Sequence, residues 1–395
     1  MYAHFCLTMQ DWVGYNPCMS EPNQQRLLDT FLTLVRFNTP SKAEKPASEW
    51  AAEYLRAIGF TVEWDDAGEK VGGNIGNLIA FKKGTVPDAP PIFFSAHFDT
   101  VEPTPGLEIA IEDDVIRSTS DTILGADDKC GVAPILEGMS LLNESGEPHG
   151  DIQLLLMICE EIGLVGAKMM DPSRIKAKYG FVLDSGPPLG ALTYTAPSQN
   201  SLRVRIEGKP AHAGVAPEKG VSAIVAAARA IAAMKLGRID EETTANVGVI
   251  EGGTARNIVP AEVTMICEAR SRTQAKLDAQ TAHMKDVFER EAAAVGATAY
   301  VEVIEEYRSY NLQESDPVLQ IAVQAAQAAD LPVKLRPSGG GSDGNIFNDF
   351  GFPTTVLATG MQQIHTHDEF CTISDMVKDA RWVVEIVRAA RDFRE

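Results

Sequence analysis

Carboxylates and imidazoles recur in this chain where apolar runs of strand length end. Glu160 and Glu161 follow the run Gln153 to Ile158 and precede Gly163 and Gly166. His97 and Asp99 follow Pro91-Ile-Phe-Phe-Ser-Ala, Asp184 follows Gly180 to Leu183, and Asp127-Asp128 lies in Gly-Ala-Asp-Asp-Lys-Cys-Gly. His365 and His367 stand near the C-terminus. Ionised carboxylates are rarely buried unless paired or metal-bound. Alternate side chains of an extended segment face the same way, so His97 and Asp99 share a direction. Glu160 and Glu161, at a turn, can address two objects, such as a metal and the water on it. Imidazole plus carboxylate with no cysteine ligand suits zinc, or another borderline divalent ion, at a catalytic site. Five or more such ligands exceed what one tetrahedral ion takes, so a two-metal site with a bridging carboxylate is the natural arithmetic. Two ions ~3.5–4 Å apart could polarise a carbonyl and supply a hydroxide near neutral pH.

Taken singly, each group also has an ordinary reading. His97-x-Asp99 could be a hydrogen-bonded strand-end pair, Asp127-Asp128 a helix cap, and Asp184 a turn residue before Ser185-Gly186. Their coincidence is what points to a metal centre. The residues alone leave His365 and His367 open as the C-terminal ligand. His149, beside Pro148, and His283, within a helical run, read as solvated; His212, in Pro-Ala-His-Ala-Gly, reads as a surface turn residue.

The elements that must hold these residues follow from periodicity. Leu27, Leu28, Phe31, Leu34 and Val35 recur at helical spacing, and a second helix fits 47–58, with Pro46 before it and Gly59 after it. Strands are expected at 60–64, 77–81, 91–96, 153–158 and 180–183, with a polar loop over 119–128, a helix over 131–142 and a short helical stretch near Ala167. Strands alternating with helices imply an α/β layer structure that collects ligands at strand carboxyl ends. After Pro187-Pro188 the pattern changes. Strands at 200–207, 246–250, 262–269 and 298–304 and helices at 221–234 and 274–294 give a β-α-β-β-α-β order, the ferredoxin-like pattern of an inserted domain. From about Asp316 the first pattern returns, with a helix through Ala328, the glycine-rich loop 339–344, a strand at 354–357 and a closing helix over 374–391.

At 395 residues the chain exceeds a single core, and two domains are expected. A net charge of −20 argues against nucleic acid or an anionic membrane as partner. No apolar run reaches the ~18 residues of a membrane span. Six cysteines without a CxxC spacing read as free thiols of a reducing compartment, hence a cytoplasmic protein. Residues 1–18 lack the basic and apolar regions of a signal peptide and are expected to be an extension.

The motifs Ser-Ala-His97-Phe-Asp99-Thr-Val, Gly125-Ala-Asp127-Asp-Lys-Cys-Gly, Glu160-Glu161-Ile-Gly, Leu-Asp184-Ser-Gly and His365-Thr-His-Asp-Glu369 occur in that order. Together they resemble the M20 dizinc peptidase family. Gly-Ala-Asp-Asp-Lys, Gly-Lys-Pro-Ala-His-Ala-Gly and Gly-Gly-Gly-Ser-Asp-Gly point to its peptidase T and peptidase T-like branch rather than the acylase ones. The resemblance runs from about Met19 to the end. It implies a zinc-peptidase-like mixed sheet flanked by helices, with a ferredoxin-like α+β lid inserted. The catalytic domain would comprise residues 19–192 and 312–395, and the lid, which also dimerises, residues 193–311.

Carried over position by position, the resemblance implies two divalent ions, zinc first and cobalt or manganese as alternatives. His97 and Asp184 would bind one and Glu161 and His365 the other, with Asp127 bridging and an unusual peptide geometry after it. Asp99 would orient His97. Glu160 would be the general base for a bridging water. His212 would steady the oxyanion, from the partner subunit of a homodimer. Asn257 would lie near the substrate, Arg270 would hold a carboxylate, and Gly340 and Gly341 would let the substrate backbone approach. Cys159 has no expected role beyond packing. The implied activity is a tripeptide aminopeptidase-like exopeptidase acting on short peptides. An amide deacylase or carboxypeptidase acting on N-acyl amino acids is the alternative, and a catalytically silent metal-binding or assembly module is the alternative of another class.

Overall fold

A computed structural model describes residues 21–394 of the protein; the expected extension over residues 1–18 lies outside them. Helix α1 (Gln24–Arg36) starts at Asn23, whose side chain accepts the Arg26 amide, and buries Leu27, Phe31, Leu34 and Val35 along one stripe. Helix α2 (Lys45–Ala57) carries Pro46 in its first turn, where no amide is needed. Strand β1 (Thr61–Trp64), helix α3 (Ala67–Val71), β2 (Leu78–Lys82) and β3 (Ile92–His97) follow. A short hairpin, β4 (Ile109–Glu112) and β5 (Val115–Ser118), precedes α4 (Ala126–Ser145), β6 (Ile152–Met157), α5 (Val165–Met169), β7 (Tyr179–Ser185) and β8 (Ala191–Ala196). Every residue of β3 and β6 is buried, as expected of strands covered on both faces.

The chain then builds a second body from β9 (Ser198–Glu207), α6 (Ala223–Ala233), β10 (Gly237–Arg238), β11 (Thr243–Gly252), β12 (Glu262–Ser271), α7 (Gln274–Ala294) and β13 (Thr298–Tyr307). It returns through β14 (Tyr310–Asn311), α8 (Pro317–Ala328), β15 (Lys334–Pro337), α9 (Asp343–Asp349), β16 (Thr354–Ala358), β17 (Phe370–Thr372) and α10 (Ile373–Asp392).

The first body is a nine-stranded mixed sheet in the order β1-β2-β6-β3-β7-β16-β8-β14, with β15 paired to β8. Strands β6, β3, β7 and β16 are mutually parallel, so their carboxyl ends open on the same side. Helices α1, α4, α8 and α10 share one core, closed by the fully buried Trp382. Helices α5 and α9 lie against a smaller core holding Phe93 and Phe347.

The second body is a five-stranded sheet, β10-β11-β12-β9-β13, antiparallel throughout, with α6 and α7 on one face and its own core around Leu202, Met265 and Phe288. This is the expected ferredoxin-like order. Along β12 burial alternates, so Val263, Met265, Cys267 and Ala269 lie under the helices and Ile266, Glu268 and Arg270 face outward. The two crossings between the bodies run side by side: β14 pairs with β8 through Tyr310–Ala196 and Asn311–Thr195, next to the start of β9.

Two features depart from the sequence pattern. A three-stranded sheet, β17-β5-β4, has no counterpart in it; its strands are three or four residues long, too short for a period to register. His149, expected to be solvated, is buried, with its ring Nδ1 2.7 Å from the Gly150 carbonyl. It is covered because its own carbonyl receives the Thr85 and Val86 amides and so packs the turn against the sheet's end.

Candidate metal centre

The parallel strands deliver the chemistry to one place. His97 closes β3. Its Nε2 lies 3.3 Å from Asp127 Oδ1 and 4.0 Å from Asp184 Oδ1, and its Nδ1 lies 3.4 Å from Asp99 Oδ1. The Asp99 carboxylate also accepts the amides of Glu160 (3.0 Å) and Glu161 (3.1 Å) and the Ser41 hydroxyl (2.6 Å). Asp99 thus ties the exit of β3 to the turn after β6 and fixes the backbone of both glutamates. Asp127 and Asp128 open α4 with non-helical dihedrals, and the peptide between them is cis. From the C-terminal loop, His365 Nε2 reaches Asp127 Oδ2 at 3.2 Å and Glu161 Oε1 at 3.1 Å. His367 turns away, to Glu102 at 3.0 Å and Asp121 at 3.2 Å on the exposed rim. Of the two histidines the sequence leaves open, His365 is therefore the one grouped with Asp127 and Glu161.

Charge crowding here is severe. Burial first, then the neighbouring Asp184, pushes the Glu160 carboxyl well above the usual carboxylate range. Burial likewise raises Asp184 and Asp128, with Asp127 adding to both. His97 goes the other way for a buried imidazole: burial would lower it, but hydrogen bonds to Asp127 and Asp99 hold it well above its ordinary value. Asp128 Oδ1 is buried without a hydrogen-bond partner, and such an orphaned acceptor is costly in a protein interior. Donor atoms of His97, Asp128 and Asp184, and again of His97, Asp127 and Glu161, lie within 4.8 Å of one another. With His365 beside the second set, the nitrogen and oxygen donors are enough to divide between two divalent cations. The residues fit that group: positive charge is what these acids lack.

A cleft of about 460 Å³ opens beside them, between the two bodies. Glu160, Glu161, Asp184 and His365 line one wall, and Gln199, Arg270 and Tyr307 of the second body line the other. Arg270 is held by Glu268 through Nε (3.1 Å) and Nη2 (2.8 Å), while Nη1 faces Gly340. The Gly341 amide donates to the Tyr307 hydroxyl at 3.1 Å, and a Cβ at Gly341 would stand 2.4 Å from the Tyr307 ring. Only glycine fits there.

His212 and Asn257 are not in this cleft. Both are exposed, on neighbouring loops joined by a bridge from His212 to Ile258 and by the Ala213 amide donating to the Asn257 carbonyl at 2.9 Å. Several residues around the centre lie within the quoted motifs but carry no role assigned from the sequence. Lys129 is fully buried with no hydrogen-bond partner for Nζ, Asp343 is buried with its proton affinity lifted by desolvation to a pKa of about 7, and Glu369 caps the Asp127 loop. Cys159 does more than pack: its amide (3.0 Å) and Sγ (3.4 Å) both point at Glu44 Oε1 from a backbone at φ +54°.

Comparison with known proteins places the chain among peptidases. Residues 197–295 match a family described as a peptidase dimerisation domain, and residues 77–212 match one described as peptidase family M28. The chain is 44% identical to the protein YqjE of Bacillus subtilis (strain 168) over 368 residues, covering 93% of this chain and 99% of that one. The crystal structure of aminopeptidase PepT from Bacillus cereus ATCC 10987 superposes with a TM-score of 0.85 at 43% identity, over 93% of this chain and 99% of the other. A tripeptidase structure from Staphylococcus aureus gives a TM-score of 0.90 at 38% identity, over 95% of this chain and all of the other.

Proposed function

The chain belongs to the M20 family of metallopeptidases, in its peptidase T-like branch, and from that premise we propose that it is an aminopeptidase of short peptides, tripeptides foremost. The observation that carries this reading is the grouping of Asp127, Glu161, Asp184 and His365 at one wall of a cleft, with His97 buried behind them, Glu160 among them and Arg270 opposite. In it, His97 and Asp184 would hold one divalent cation and Glu161 and His365 the other, with Asp127 serving both. The donor set suits zinc, with cobalt or manganese as alternatives. When bound, the cations supply Lewis acidity, lowering the pKa of water and polarising the scissile carbonyl.

The chain's own residues do the rest. Glu160, whose partly buried carboxyl has a raised proton affinity, takes the proton of the attacking water and hands it to the leaving amine. Asp99 holds the His97 ring through Nδ1 and the two glutamates through their amides. Arg270, half-occupied by Glu268, offers Nη1 to the peptide's carboxylate beside Gly340 and Gly341, where the substrate backbone can approach. His212 and Asn257 serve the cleft of a partner subunit: residues 193–311 act as lid and dimerisation domain, residues 19–192 and 312–395 as catalytic domain, in a cytoplasmic homodimer. Among the described residues no helix is long and apolar enough to cross a membrane.

One observation also favours a second reading within the family. An arginine placed to hold a free carboxylate serves a deacylase or carboxypeptidase of N-acyl amino acids equally well. Hydrolysis by the metal-loaded enzyme of Ala-Ala-Ala, N-acetyl-Ala-Ala-Ala, a dipeptide and an N-acetyl amino acid separates the two. Cleavage of the free-amine tripeptide but not its acetylated form is expected; turnover of acylated substrates alone would sink the aminopeptidase.

A further inference from the structure

We propose that Glu369 is a positioning residue that sets the cation position formed by Asp127, Glu161 and His365. Its carboxylate is buried and splits its two oxygens between two amides of the loop that opens α4: Oε2 accepts Gly125 N–H at 2.6 Å and Oε1 accepts Asp127 N–H at 2.9 Å. The second of these amides belongs to the residue whose carboxylate meets both His97 and His365. Amides at the start of a helix have no partner within it and favour a negative group, so the loop conformation depends on an acceptor brought from outside.

Glu369 also belongs to the other half of the same position. Residues 362–370 form a closed loop, pinned at its neck by Gln362 N–H to the Phe370 carbonyl (2.8 Å) and Phe370 N–H to the Gln362 carbonyl (3.2 Å). That loop carries His365, at φ +61°, and Glu369. One carboxylate therefore couples the loop of His365 to the loop of Asp127, and with it the 3.2 Å separation of His365 Nε2 from Asp127 Oδ2. The neighbouring position needs no such link, because His97 and Asp184 end β3 and β7, which are paired in the sheet. The asymmetry yields a specific consequence. Losing Glu369 should loosen the position of Glu161 and His365 far more than that of His97 and Asp184, which shares only Asp127 with it.

The inference rests on the ligand assignment proposed above, and the experiment keeps the two apart. Metal-free full-length enzyme is titrated with Co²⁺, with bound metal measured by equilibrium dialysis and the d–d absorption of each equivalent recorded. Glu369→Gln keeps the shape but puts an N–H where one of the amides needs an acceptor. It is expected to weaken one equivalent by about 10- to 100-fold, the usual cost of losing a group that orients a ligand. The other equivalent, which shares only Asp127 with it, should weaken far less. The absorption lost should match that lost in His365→Ala, and Glu369→Asp, which retains two acceptor oxygens, should restore part of the affinity. Wild-type affinity at both equivalents in Glu369→Gln overturns the proposal. So does equal weakening of both, which marks a general structural role. If Asp127→Asn leaves both equivalents intact, the ligand assignment itself fails and the inference falls with it.

Discussion

The two sheets treat their polar side chains in opposite ways. In the nine-stranded sheet, His97, Asp127, Glu160 and Asp184 are drawn to parallel strand ends and neighbouring turns, the first two buried and the last two partly so at the cleft, each touching or repelling the others. In the five-stranded sheet, Arg270 sits half-exposed on the uncovered face and His212 and Asn257 stand in solvent. The first arrangement is complete within one chain apart from the charge it lacks. The second is laid out for something that arrives later, a substrate or a second subunit. A site can thus be divided between a part organised in advance and a part assembled on binding.

That contrast can be broken most sharply at Glu160. Glu160→Ala is expected to cut kcat by about 10²–10⁴-fold, the range for a lost general base, while dialysis still finds both cations bound. Loss of metal along with activity would show that Glu160 belongs to the ligand set instead. For His212→Ala a kcat loss of about 10²–10³-fold, roughly 2.7–4 kcal/mol, is expected. Dimers mixed from His212→Ala and Glu160→Ala chains should then recover part of the activity, because one of their two clefts regains both groups; no recovery would place His212 in its own chain's site. Arg270→Ala should lower kcat/KM for tripeptides by about 10- to 100-fold, in line with a lost hydrogen bond to a charged group. The same change should be nearly silent for C-terminal amides; an equal loss on both would remove Arg270 from carboxylate binding. The smallest effect is expected at Lys168, whose 3.1 Å ion pair with Glu306 spans the two bodies. Partly exposed pairs contribute about 0–1 kcal/mol, so Lys168→Ala should leave the melting temperature almost unchanged and move KM by no more than about fivefold.

The same contrast explains what is legible in the sequence. The strands bearing His97, Glu160 and Asp184 are continuous apolar runs, and a histidine or acid immediately after such a run is conspicuous, so the letters alone single out these residues and their shared direction. The alternation along β12 likewise announces a sheet with one covered face. Short elements are not legible: β4, β5 and β17 bury too few residues for a period to register, and their pairing joins positions far apart in the chain. Nor is the use made of Glu369, whose partners Gly125 and Asp127 lie 244 and 242 residues away. Lys129 is the clearest limit, since its letters suggest a solvated cation and only the packing around it encloses it.

The side-by-side crossings at β8–β9 and β13–β14 have a consequence for how such a chain can change over time. Because residues 196 and 310 are paired neighbours, everything between them leaves and re-enters the first sheet at a single doorway. A segment whose ends already touch can be lengthened, exchanged or deleted at little cost in chain entropy to its host. The nine-stranded layer can therefore keep one hydrolytic chemistry while the inserted module is traded, and with it the choice of what is presented for cleavage.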